Sequence, residues 1–135
     1  MRILSQALIV LFCFVLGGCG SGEAPITNDR LIETFESGRT GIWVSGHGEV
    51  TQILGDENIG GRTQRFIVRL NEQIQIQIRH SLDNAERIPV ERGDEVRFQG
   101  YYEWEARGGF ISRTYNDESQ PGSGGWVEHD GTRYD

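Results

Sequence analysis

The chain has 135 residues, enough for one domain, and a formal net charge of −7. Its 13 Lys and Arg positions are all arginine. An acidic surface disfavours nonspecific contact with nucleic acid, which requires cations against the phosphates, so we do not expect nucleic acid as a partner. Both cysteines, Cys13 and Cys19, lie near the N-terminus, so the rest of the chain has neither a disulfide nor a free thiol.

The first 18 residues have the pattern of a secretory signal peptide. Arg2 supplies the positive end, and the apolar run at 3–16 is shorter than the roughly 20 residues of a membrane-spanning helix. The following Leu16-Gly17-Gly18-Cys19 resembles the bacterial lipobox, in which the cysteine becomes the lipidated first residue. We therefore predict that residues 1–18 are removed and that acyl chains on Cys19, palmitate among them, anchor the protein to a membrane. The alternative is an ordinary signal peptide with an incidental cysteine.

The residues after the cysteine predict a location and a tether. Gly20 stands where an aspartate would retain a Gram-negative lipoprotein in the inner membrane. The outer membrane, on its periplasmic side, is therefore the expected location. Residues 19–27 are mostly small and predict a flexible tether, which leaves 28–135 as the folded domain.

The periodicity of the domain predicts one helix followed by strands. A short helix is expected at 28–37, with Leu31 and Phe35 on its apolar face. Strands are expected at 42–54, 64–70, 73–80, 94–104 and 110–115, with one helical turn between 81 and 90. A final hairpin at 126–134 turns at Asp130-Gly131.

This order predicts a mainly β fold, an OB-like five-stranded antiparallel barrel with a short N-terminal helix and a C-terminal hairpin. An SH3-like barrel and a β-sandwich are the alternatives. Phe98, Tyr102 and Trp104 share one phase of the fourth strand and are expected to fill the barrel. Trp126 and Tyr134 are expected to hold the hairpin against it.

Several short segments, spread over residues 28–134, together carry a resemblance. They are Gln64-Arg65-Phe66-Ile67, Gly93-Asp94, Tyr102-Glu103-Trp104, Gly108-Gly109-Phe110-Ile111, and Gly125-Trp126-Val127 with Gly131 and Tyr134. In this order they resemble a family of small secreted bacterial proteins of unknown function, which implies an OB-like barrel and no established activity. The resemblance implies that many members of the family carry histidines where this chain has Thr63, Ser112, Tyr115 and Asn116. If those histidines bind a metal in the relatives, this chain has lost the site.

The sequence offers few groups for catalysis. His47, His80 and His129 are widely separated, unlike the closely spaced ligands of zinc or iron sites, so no metal is predicted. No nucleophile elbow, phosphate-binding loop or dinucleotide fingerprint is present, so no cofactor is expected and a noncatalytic role is favoured. A catalytic pair of carboxylates stays open because Asp and Glu are abundant.

Five residues are candidates for ligand binding: His80, Asp83, Arg97, Tyr101 and Arg113. At the end of its strand near Asp83, His80 could bind a ligand or move a proton at a mouth of the barrel. The favoured interpretation is that its ring nitrogens bond the backbone of the 81–84 turn. Tyr101 has the outward phase of the fourth strand, and arginines lie on the same pair of strands. Exposed aromatics interleaved with arginine stack on bases or sugars in OB folds, whereas the alternative is that these aromatics are core.

These observations favour a noncatalytic, lipid-anchored binding or accessory module of the cell envelope. Its ligand would be a protein, a peptide or a glycan. The alternative is a hydrolase that acts on an envelope polymer with His80 and Asp83 or a carboxylate pair. A third hypothesis is a purely structural lipoprotein.

Overall fold

A computed structural model describes residues 25–135 of the chain. The signal peptide, the lipidation of Cys19 and the first part of the tether lie outside these residues and stay predictions. Within the described part of the chain, no helix is long and apolar enough to cross a membrane.

One helix precedes a series of strands, close to the predicted order. The elements are α1 (Asp29–Glu36), β1 (Ile42–Ile53), β2 (Thr63–Arg69), β3 (Gln75–Ser81), β4 (Glu95–Glu103), β5 (Phe110–Ser112), β6 (Trp126–His129) and β7 (Thr132–Tyr134). The helical turn expected after β3 is a single turn, closed by the Ala85 N–H on the Ser81 carbonyl at 3.1 Å. β5 is shorter than predicted because Arg113 takes a positive φ of 53° and ends the strand.

The first five strands close the predicted OB-like barrel. β1 pairs antiparallel with β2 and with β4, β2 pairs antiparallel with β3, and β4 pairs antiparallel with β5. The ring closes through β3 and β5, which are parallel, so the expected barrel is antiparallel at all but this pairing. β6 adds to β4 and β7 adds to β6, so the C-terminal hairpin extends the barrel sheet.

β1 can serve both sides of the barrel because it bends. A Cβ atom on Gly48 would lie 2.1 Å from the carbonyl oxygen of Arg69, so only glycine allows β2 to approach this closely. A bulge between Val50 and Gln52 follows directly. The first part of β1 therefore pairs with β4, and its last part pairs with β2.

The inward side chains of the strands fill the barrel. The buried apolar cluster consists of Leu31, Val44, Val50, Phe66, Val68, Ile76, Ile78, Ile88, Val96, Phe98, Tyr102, Ile111 and Val127. Phe98 and Tyr102 are inside as predicted, but the expectation for Trp104 is wrong. Because β4 ends at Glu103, Trp104 leaves the barrel, stacks on Phe35 and donates its indole N–H to the Phe35 carbonyl at 3.1 Å.

Candidate functional site

His80 lies inside the barrel and has no exposed surface. Its Nε2 is 2.8 Å from the carbonyl oxygen of Glu86, and its Nδ1 is 2.7 Å from the hydroxyl of Thr114. Because a carbonyl only accepts hydrogen bonds, Nε2 carries the proton, and in the neutral ring Nδ1 accepts from Thr114. Burial lowers the pKa of His80, and hydrogen bonds to the backbone of Glu86 and Thr114 partly oppose this shift. The geometry thus favours a structural role, in which the ring ties the segment after β3 to the segment after β5.

This buried histidine makes stability depend on pH. A histidine whose pKa is below its ordinary 6.5 in the folded state takes up protons more readily when the chain unfolds. The contribution of neutral His80 to the free energy of unfolding is therefore complete above about pH 6.5. It is lost as the pH falls towards the pKa of the folded state, and the free energy of unfolding decreases by at most about 1.4 kcal/mol per pH unit. We expect the free energy of unfolding from urea titrations to fall between about pH 7.5 and about pH 5.5.

The His80→Gln variant isolates this effect, because glutamine keeps an N–H donor for Glu86 but does not titrate. At about pH 7.5 this variant should be less stable than the wild type. Its free energy of unfolding should then decrease less than that of the wild type between about pH 7.5 and about pH 5.5. His47→Gln, at an exposed position, is the matched control and should keep the full fall. An equal fall in both variants would contradict the assignment.

Two other predicted site residues already have partners on the surface. Asp83 accepts the backbone N–H of Arg62 at 3.0 Å and so fixes the loop between β1 and β2. Arg97 donates to Glu128 of β6 at 3.0 Å. The structure therefore does not place Asp83 with Arg97, and an ion pair already engages the guanidinium of Arg97.

The remaining candidates, Tyr101 and Arg113, meet on the outer surface of the barrel. The guanidinium carbon of Arg113 lies 4.8 Å from the centre of the Tyr101 ring. Trp43 of β1 is directly opposite Tyr101 in the β1–β4 register, and the two rings meet edge to face with centroids 5.8 Å apart. Such contacts orient both the aromatic rings and the cation.

A second stack on the same surface extends this arrangement. Gln99 is paired with Trp126 of β6, and the guanidinium carbon of Arg133 lies 4.2 Å from the Trp126 ring. We call the outward surface formed by Trp43, Tyr101, Arg113, Trp126 and Arg133 the aromatic–arginine face. Its residues come from β1, β4, β6, β7 and the segment after β5, so only the closed barrel assembles it.

Two depressions open beside this face. The first, of about 400 Å³, is lined by Arg30, Trp43, Ser45 and Gln99 among others. The second, of about 450 Å³, includes His47, Arg97 and Glu128. Ile26 lines both. Their volumes are in the range of small-molecule sites, whose polar groups fix the orientation of a ligand.

The sequence pattern alone does not assign Trp43, Trp126, Arg133 or Arg30 to a site. Trp43 and Trp126 each precede a buried valine, so strand alternation could have shown that they face outward. Their positions beside Tyr101 and Gln99 depend on strand register. Trp126 therefore lies on the outer face under Arg133 rather than between hairpin and barrel.

Four residues at which the resemblance predicted a lost histidine cluster offer hydroxyl and amide groups. They are Thr63, Ser112, Tyr115 and Asn116. Among residues 25–135, no group of three or more His, Cys, Asp or Glu side chains is placed to hold a metal ion.

The fold and this surface together define a small OB-like barrel with an aromatic–arginine face. The chain belongs to the family described as Protein of unknown function (DUF3465), which matches residues 15–135. This match confirms the resemblance to an uncharacterised family. No curated protein matches the chain.

Proposed function

We propose that this protein is a noncatalytic binding module, held on the bacterial cell envelope by lipid on Cys19, with the aromatic–arginine face as its ligand surface. The observation that carries the proposal is the pair of guanidinium groups stacked on Tyr101 and Trp126 beside two depressions. Stacked arginines keep planar N–H donors in fixed positions, which favours recognition over a purely structural role. The ligand is a protein, peptide or glycan of the envelope.

The location follows from the sequence and supports this role. The lipobox-like segment ending at Cys19 predicts acylation, and Gly20 favours the periplasmic side of the outer membrane. Five residues separate Cys19 from Pro25, the first residue described, and Pro25 itself lines the second depression. An anchor on Cys19 would therefore keep the aromatic–arginine face close to the membrane surface.

A ligand screen tests the binding role. The full chain in a non-ionic detergent would be heated with peptidoglycan fragments, oligosaccharides, envelope peptides, single-stranded oligonucleotides or divalent metals, and unfolding followed by circular dichroism. A ligand at about 100 times its Kd should stabilise the fold by roughly 2.7 kcal/mol and raise the midpoint. The rise should be lost in Trp43→Leu and kept in Ile59→Ala, which changes an exposed loop. A panel without any stabilising envelope compound would contradict the proposal.

Cys19→Ser tests the anchor. In cells fed labelled palmitate, the wild type should carry the label and fractionate with membranes, whereas Cys19→Ser should carry none, because an alcohol does not replace the thiol that is acylated. Cys13→Ser is a matched control, since Cys13 lies within the predicted signal peptide, and it should be labelled like the wild type. Label that persists in Cys19→Ser would overturn the lipoprotein assignment.

The geometry gives no support to the hydrolase alternative. That mechanism needs His80 in a cleft beside a carboxylate, where it can reach a substrate. Instead, His80 is fully buried with both ring nitrogens hydrogen-bonded, and Asp83 accepts a backbone N–H on the surface. We therefore keep the binding function as the proposal.

A further inference from the structure

Two arginines beside the first depression differ from most others in the barrel. The arginines that lie within 4.0 Å of a carboxylate are Arg39, Arg65, Arg69, Arg79, Arg87, Arg97 and Arg133. Arg30, which lines the depression, and Arg113, stacked on Tyr101 next to it, have no such ion pair within residues 25–135. Arg30 is in the lining itself, and Arg113 stacks on Tyr101, whose ring contacts the lining residue Trp43. In a chain with a net charge of −7, arginines without an ion pair in and beside a depression favour an anionic ligand.

Arg113 is held in position at a cost in backbone energy. Its φ of 53° is in the left-handed region, which is unfavourable for a side chain other than glycine. Its guanidinium lies over the Tyr101 ring, which leaves the in-plane N–H donors free to meet a planar anion. Asp117 is nearby, and its pKa is lowered mainly by hydrogen bonds from Ser119 and to a lesser extent by Arg113. Asp117 forms no ion pair with Arg113, so the donors remain available.

The walls of the first depression suit a sugar ring. Trp43 supplies an aromatic surface on which the C–H groups of a sugar pack. The Ser45 hydroxyl is 3.2 Å from Gln99 Oε1, and Gln99 Nε2 donates to the Gly124 carbonyl at 2.7 Å. These bonds fix both side chains and leave hydroxyl lone pairs and one amide N–H for the hydroxyls of a ligand.

An extended peptide fits this place less well. Peptides recognised by a β-sheet usually add to a free strand edge. β4 is paired with β1 on one edge and with β5 and β6 on the other. The first part of β1 is flanked by the start of α1, and the side chain of Asn28, the residue before the helix, bonds both the N–H and the carbonyl of His47. Recognition here thus depends on side chains, as it does for a sugar.

We infer that the depression lined by Arg30, Trp43, Ser45 and Gln99 binds a sugar unit that carries a carboxylate, with Arg113 contributing across Tyr101. This inference rests on the proposed function and names its ligand class. The sugar ring packs on Trp43, the hydroxyls bond to Ser45 and Gln99, and the carboxylate pairs with the guanidinium groups.

Calorimetric titration of the full chain in non-ionic detergent tests the inference, with trigalacturonic acid as the probe. Its methyl ester keeps the rings and removes the charge, and triglutamate keeps carboxylates without sugar rings. We expect the acid to bind at least about tenfold more tightly than either control. We also expect its affinity to fall as salt is added.

Arginine variants locate the site. Arg30→Gln and Arg113→Gln should each weaken binding of the acid at least about tenfold and leave the affinity for the methyl ester unchanged. Arg113→Lys should weaken it less than Arg113→Gln, because the charge remains while the planar fork is lost. Arg92→Gln, at an exposed arginine away from the face, should stay within about twofold of the wild type. Unfolding midpoints would show that each variant is folded.

The outcomes separate this inference from the proposed function. No binding of the acid, equal binding of acid and ester, or acid binding that neither arginine variant weakens would each overturn the inference. If an uncharged glycan or a peptide bound instead, with loss in Trp43→Leu, the aromatic–arginine face would remain a ligand surface and only the acidic sugar would be rejected. A ligand screen in which no envelope compound binds would reject both.

Discussion

Replacing Gly108 with alanine is expected to destabilise the barrel by more than about 3 kcal/mol. Gly108 has a φ of +139°, and a Cβ atom there would lie 1.6 Å from the carbonyl oxygen of Gln75 at the start of β3. That neighbour is backbone, so the clash cannot be relieved by a side-chain rotation. The Tyr102 hydroxyl also donates to the Gly108 carbonyl at 2.7 Å, so a shift of this loop would strain a buried hydrogen bond.

Gly93→Ala is the matched control. Gly93 also has a positive φ, of +96°, but no atom lies within 4 Å of the position its Cβ would take. Its cost should therefore come from the backbone conformation alone, about 1–3 kcal/mol. Urea unfolding followed by circular dichroism would give both values. Equal losses in the two variants would mean that the close approach of Gly108 to β3 is not a constraint on the fold.

The Ile78→Ala substitution should reduce the free energy of unfolding by about 2–5 kcal/mol. Ile78 is fully buried on β3, and its pairing partners lie on both neighbouring strands, Phe66 on β2 and Ile111 on β5. Truncation removes apolar contacts and leaves a cavity that the surrounding strands of the closed barrel cannot easily fill. For a domain of this size, such a loss is a large part of the total stability.

Ile59→Ala makes the same chemical change at an exposed position. Ile59 is 84% exposed in the loop between β1 and β2, so its truncation should change stability by no more than about 0.5 kcal/mol. The comparison would use urea unfolding of both variants under one set of conditions. A similar loss of stability at the two positions would contradict the exposed position of Ile59 and would mean that the loop packs against a surface outside the barrel.

The alternation of side chains made most of the barrel predictable. In β3, Ile76, Ile78 and His80 face inward between polar residues, as expected from the period of two. The limits of strands were harder, because they depend on tertiary contacts. Nothing in the pattern shows that β4 stops before Trp104, whose indole finds a partner on α1.

The candidate site was only partly predictable for a related reason. Tyr101 and Arg113 could be placed near each other because the consecutive strands predicted at 94–104 and 110–115 contain them. The position of Trp43 beside Tyr101 depends on the register between β1 and β4. This register pairs residues more than fifty positions apart, and no local pattern encodes it. His80 was ambiguous since a polar residue at an inward position suits either a ligand site or a buried hydrogen-bond network, of which the second was favoured. The partners Glu86 and Thr114 are visible only in the folded chain.

The closure of the ring by distant strands has a consequence for the time the chain needs to fold. The β1–β4 ladder joins Ile42 to Tyr102, and the parallel seam joins Gln77 and Ile78 to Phe110 and Ile111. The chain loses conformational entropy when it closes such long loops, and this loss comes before the pairings can stabilise the barrel. Chains dominated by nonlocal pairings fold on the order of milliseconds to seconds, more slowly than helical domains. Until the seam closes, β3 and β5 present unpaired edges, so this interval is when the chain is most exposed to pairing with another copy.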